Sequence, residues 1–163
     1  MLKILVRKWD ENKDKLQQEL STRESLKLYE YKDLVKLTFE VIYNIDEVWD
    51  HKQLDLDRIT EIDNGDYQGT LLYLIPFDSY QPSESEYLMT YVGYGSCSGC
   101  DTLKSIRGEF PDDDKLTESQ VKAFMNLCKD ILTNTIKPYN CGWRNDEDFE
   151  HIEEEIERGK LQL

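Results

Sequence analysis

No apolar run in this 163-residue chain approaches the roughly 18 consecutive residues of a membrane-spanning helix. The opening MLKILVRKWDEN meets charge too early for the apolar core of a secretory signal. The expectation is a soluble, cytoplasmic protein. Histidine is scarce: the two, His51 and His151, sit in the charged contexts DHK and EHIEE, from which no Ser/His/Asp or Cys/His catalytic set can be composed. Neither fits the H-x-E segment that a zinc deaminase needs for a ligand and a proton-transfer Glu. A second C-x-x-C is missing, and so is the G-x-x-x-x-G-K-[ST] phosphate loop. Basic residues are few, with twenty Lys and Arg against thirty-four Asp and Glu, a net charge of −14. That excess repels phosphate, which disfavours direct nucleic-acid and anionic-membrane binding and favours a partner protein with a basic surface.

What is present argues for a folded domain. Hydrophobic residues make up 39% and aromatics 11%, with ten Tyr and three Trp, which is too rich for a disordered chain despite 33% charged residues. The length suits one domain whose core closes without metal or disulfide support. The acidity is uneven: residues 1 to 44 hold nine basic and eight acidic residues, net +1, leaving eleven against twenty-six, net −15, for residues 45 to 163. Four cysteines in a cytosolic chain suit thiols or metal ligands better than a disulfide framework.

Hydrophobic period changes along the chain. Leu2, Leu5, Trp9, Leu16 and Leu20 fit an amphipathic helix over about the first twenty residues, although LKILV alone also fits a short strand. Tyr31, Leu34, Val35, Val41, Ile42 and Ile45 form a second helical stripe running to about Asn44, and the two helices are expected to pair. From Leu54 short segments rich in Leu, Ile, Tyr and Thr take over, and NGD at Asn64 to Asp66 predicts a turn between two strands of a hairpin. Strands are expected at Arg58 to Ile62, Leu71 to Phe77 and Tyr87 to Tyr94. The middle one is central because both its faces are apolar. Thr117 followed by Gln120 is a capping-box pattern, and Val121, Phe124, Met125, Cys128, Ile131 and Leu132 trace a helical face after it. DEDFEHIEEEIERGK suits a final helix with acids at its start and Gly159 after its basic end. The fold class is therefore α+β, a small antiparallel sheet of about three strands packed against helices. It is read as one domain with a helical part over about 1–45, a hairpin and CSGC core over about 54–107 and C-terminal helices over about 117–160.

Chemistry concentrates in YVGYGSCSGCDTLKSI, where a strand runs through a small-residue loop into a helix. Cys97 and Cys100 form a C-x-x-C pair near that helix's start, an arrangement that favours thiolate and permits redox chemistry, though the preceding βαβ context of a thioredoxin-like domain is missing. The pair also makes a zinc half-site that Cys128, Cys141, His51 or His151 would have to complete. Cys128 lies on the apolar stripe of its helix, where cysteine usually packs as a small hydrophobe. Gly93, Gly95, Ser96, Ser98 and Gly99 can present N–H groups to an anion, but they equally let a strand turn sharply into a helix capped by Ser98 and Asp101. No catalytic residue, metal ligand set or cofactor is assigned on these grounds. Carboxylates are too numerous to pick an acid–base pair. The runs PDDD at Pro111 to Asp114 and Asp146 to Glu157 read as solvated faces, or as an acidic surface that steers a basic partner.

The combination of YQG at Tyr67 to Gly69, a hairpin and YGSCSGCDTL at Tyr94 to Leu103 resembles a family of small proteins without established activity encoded by bacteriophages and bacterial mobile elements. The likeness is strongest over about forty residues, and the octapeptide YGSCSGCD is its most distinctive part. It implies a phage origin, a cytoplasmic place of action in a bacterial host and a shared structural or binding site built from Tyr67, Gln68, Gly69, Cys97, Cys100 and Asp101. Small acidic phage proteins often act by binding host machinery, so by analogy the resemblance implies non-enzymatic binding to a basic surface of a host protein, such as a nucleic-acid-handling or defence enzyme that it inhibits. Asp146, Asp148, Glu150, Glu153, Glu154 and Glu157 would contribute the acidic surface. The alternative is a metal-binding or thiol-redox protein centred on the CSGC pair.

Overall fold

The computed structural model describes residues 2–22, 27–44, 53–97, 99–108 and 115–136. Its elements run α1 (Leu2–Leu20), α2 (Tyr31–Ile42), a single 3-10 turn (Leu56–Arg58), β1 (Thr60–Asp63), β2 (Gly69–Pro76), β3 (Tyr87–Tyr94), α3 (Thr102–Arg107) and α4 (Glu118–Thr133). This is the expected α+β class, and LKILV is helical. The leucine spacing of α1 explains why: Leu5, Trp9, Leu16 and Leu20 fall on one stripe and are fully buried. That stripe packs on α2 and α4. Lys8 lies on the same side, with its Nζ donating to the Tyr43 carbonyl at 2.8 Å and lying 5.3 Å from the Tyr43 ring centroid. Tyr43 is the C-cap of α2, so the ammonium meets the negative end of that helix.

The strands form an antiparallel sheet in the order β1-β2-β3, with β2 central as its two apolar faces require. Leu71, Tyr73 and Ile75 of β2 align with Val92, Thr90 and Leu88 of β3 on the face that meets the helices. Leu72 and Leu74 occupy the opposite, half-buried face. Four strand boundaries differ from expectation: β1 ends one residue later, at Asp63, β2 ends one residue earlier, at Pro76, and both starts move by two. β1 begins at Thr60 and not at Arg58, because Asp55 accepts from the Asp57 N–H at 3.2 Å and from Arg58 Nε, winding Leu56–Arg58 into the 3-10 turn. β2 begins two residues early, at Gly69. Asn64 Oδ1 accepts from the Thr70 N–H at 2.8 Å and closes a loop in which a Cβ on Gly65 would meet the Gln68 carbonyl oxygen at 2.2 Å.

The capping box at the start of α4 is formed in both directions. Gln120 N–H donates to Thr117 Oγ1 at 3.3 Å, and Thr117 N–H donates to Gln120 Oε1 at 2.9 Å. Thr90 Oγ1 donates to the Ile131 carbonyl at 2.6 Å, tying β3 to α4 inside the core. Cys128 is fully buried there, and burial pushes its thiol up to about 12. It is a packed core residue, as its place on the apolar stripe predicts. The expected final helix and its carboxylates, Asp146, Glu147, Asp148, Glu150, Glu153, Glu154, Glu155 and Glu157, lie outside the described residues. So do Ser98, Pro111 to Asp114, His51, Cys141 and His151.

Candidate functional site

β3 ends at Tyr94 and the chain turns at once into the C-x-x-C segment. The Cys97 carbonyl accepts from the N–H groups of Cys100 at 3.0 Å and Asp101 at 2.8 Å. This winds the turn tightly enough that a Cβ on Gly95 would meet the Cys100 carbonyl oxygen at 2.4 Å. The two sulfurs lie at disulfide distance, with Cα atoms 5.2 Å apart, and both cysteines are exposed. Among the described residues no group of three His, Cys, Asp or Glu converges to hold a metal ion.

Asp101 closes the turn. Its carboxylate is buried, and it caps α3 by accepting from the Lys104 N–H at 2.9 Å. The same Oδ1 accepts from the Tyr31 hydroxyl at 3.2 Å, while Oδ2 accepts from the Gly95 N–H at 3.4 Å. Tyr31 in turn accepts from the Leu103 N–H at 3.1 Å. The Asp101 carboxylate thus joins the end of β3, the start of α3 and the first turn of α2. Burial, partly offset by the Leu103 N–H, raises the Tyr31 phenol above its ordinary range, and the nearby Asp101 charge adds to the rise.

The hub borders a cleft of about 270 Å³ between α2, α3 and the open end of the sheet. Glu30, Glu61, Asp63 and Asp101 line it together with Tyr29, Tyr31 and Tyr94, and Lys104 supplies the one positive charge among the described lining residues. None of the four carboxylates makes a salt bridge among the described residues. Tyr94 donates to Asp63 Oδ1 at 2.8 Å, and that bond raises the phenol's pKa. At the rim the Arg107 guanidinium carbon stands 4.0 Å from the centroid of the Tyr29 ring. Tyr73 is fully buried, and its hydroxyl has no hydrogen-bond partner among the described residues. Burial raises its pKa most, followed by Glu61 and then Glu30, two carboxylates of the cleft. A larger depression of about 880 Å³ lies between α1, α2 and the 3-10 turn, but its lining carries both signs and Lys36 is paired with Asp57.

The residues expected to share a site are brought together only in part. Gly69 pairs with Tyr94, which puts the YQG loop and the CSGC turn at the same end of the sheet. Tyr67 is 82% exposed and Gln68 is also exposed, and among the described residues no hydrogen bond joins either to Cys97, Cys100 or Asp101. Gly69 has a local explanation, since a Cβ there would meet Gly65 Cα at 2.8 Å. Sequence reasoning did not single out Glu30, Glu61, Asp63, Tyr94 or Lys104 as a site, and placed Tyr31 only on a core stripe. Strand alternation puts Glu61 and Asp63 on one face, the only local signal of the cleft. Comparison with family models, with curated proteins and with solved structures finds no match for this chain.

Proposed function

We propose that this is a phage-encoded, non-enzymatic binding protein that engages a basic surface of a host protein in the bacterial cytoplasm, inhibiting a nucleic-acid-handling or defence enzyme. One observation carries the reading: four carboxylates without ion pairs among the described residues meet three tyrosines around a single cleft. Carboxylates attract a lysine or arginine side chain, and tyrosine faces stack on its cationic head, as Tyr29 does with Arg107. The net charge of −14 supports it at longer range by steering a basic partner inward.

The test uses an oligo-arginine peptide and titration calorimetry across a salt series. The expected result is saturable binding that the double change Glu61→Gln, Asp63→Asn weakens about fivefold, the effect of two exposed charge contacts. The difference should shrink in 1 M salt, where the screening length is about 3 Å. Binding that is indifferent to both changes sinks the reading. A thiol-redox role is favoured by one specific observation, the pair of exposed sulfurs at disulfide distance.

A further inference from the structure

The Cys97–Cys100 turn holds chemistry that binding by charge does not use. Its two sulfurs are adjacent and its residues exposed, in contrast to Cys128, which is fully buried. Two backbone bonds to the Cys97 carbonyl, from the N–H groups of Cys100 and Asp101, hold the turn and tie it to Asp101. Cys100 Sγ sits beside both backbone groups of Cys97, 2.9 Å from its N–H and 3.2 Å from its carbonyl oxygen. Attack by either sulfur first gives the same balance of atoms and electrons.

We propose that Cys97 and Cys100 form a reversible dithiol–disulfide site that exchanges with low-molecular-weight disulfides, and that its state sets the affinity of the acidic cleft. In the forward direction the Cys100 thiolate attacks one sulfur of the disulfide. An S–S bond to Cys100 forms, the original S–S bond breaks, and the first thiolate leaves. The Cys97 thiolate then attacks Cys100 Sγ, forming the Cys97–Cys100 bond and expelling the second thiolate. The protein loses two electrons and two protons, and the reagent gains both as two thiols. The link to the cleft is Asp101, which follows Cys100 in the chain, is held by the Cys97 carbonyl and carries Tyr31 and the start of α3. This second half rests on the binding reading above.

The experiment equilibrates the full chain in glutathione buffers of graded oxidised-to-reduced ratio. Native alkylation and peptide mapping then read each cysteine, and oligo-arginine affinity is measured at the two extremes. Cys97 and Cys100 should oxidise together with one midpoint within the glutathione range, and Cys128 should stay unmodified until the chain is unfolded. Affinity should differ about fivefold or more between the two forms, the lower end of ordinary coupling between sites. The double change Cys97→Ser, Cys100→Ser should abolish the dependence on glutathione while its circular dichroism matches the parent. A pair that stays oxidised or reduced throughout, or that stops at separate glutathione adducts, overturns the exchange site by mapping on the unaltered protein alone. Equal affinity in both forms overturns the coupling. A peptide that binds neither form, with exchange intact, overturns the binding reading and leaves the redox site standing.

Discussion

Burying a hydroxyl without a hydrogen bond costs about 1 to 3 kcal/mol, and among the described residues Tyr73, in the middle of the sheet, has no partner for its own. Its neighbour across the ladder, Glu61, acts on the hydroxyl electrostatically without reaching hydrogen-bond geometry. Tyr73→Phe keeps the ring and removes the orphan group, so it should raise stability by about 1 kcal/mol, read as a higher urea midpoint. A lower midpoint would show that the hydroxyl and Glu61 stabilise one another. Tyr31 is the opposite case, with its hydroxyl both donating and accepting. Residue type and spacing are the same kind of signal for both tyrosines, which mark apolar stripes. Which one has a partner depends on what stands across the core.

At the scale of elements, local chemistry was most legible where the partners lie within one turn. The Thr117 and Gln120 pair works in both directions, and Gln120 Nε2 also donates to the Ile106 carbonyl at 3.0 Å, fastening the end of α3. Thr117→Ala removes the cap and should destabilise the protein by about 1 kcal/mol in urea unfolding. Gln120→Ala should cost more, since it loses the bond to α3 as well. An equal or smaller loss would show that this second bond contributes nothing. The 3-10 turn that took Arg58 out of β1 was not legible in hydrophobic period, because Asp55 makes it through side-chain bonds.

For the molecule as a whole, three buried phenols, Tyr31, Tyr43 and Tyr73, share the same displacement, each raised chiefly by burial above an ordinary value of 10.0. In the unfolded chain these phenols ionise near that value, while in the folded protein they keep their protons. Their raised values therefore contribute stability that is fully present below about pH 10 and lost as pH climbs through the folded-state values. Urea midpoints should be flat from these groups between pH 7 and 9 and fall steeply above pH 10. Tyr73→Phe should make the fall shallower. A slope unchanged by that substitution would mean that Tyr73 ionises alike in both states.

Sequence alone determined the alternation of helical and strand periods, the central place of β2, the span of β3 and the start of α4. These depend on neighbours within a few residues, where backbone geometry sets the period and side chains reach their own backbone. The family resemblance grouped Cys97, Cys100 and Asp101 with Tyr67, Gln68 and Gly69, and the first three share one turn. Tertiary structure decided what that unit faces: Asp101 meets Tyr31 across 70 residues of sequence, and the cleft gathers Glu30, Glu61 and Asp63 from two further segments. No local period encodes such a meeting, because it is produced by α2 and α3 both packing on α4, which brings Tyr31 to Asp101 beside the end of β3. The same packing separates buried Cys128 from the exposed pair, giving one residue type two different chemistries.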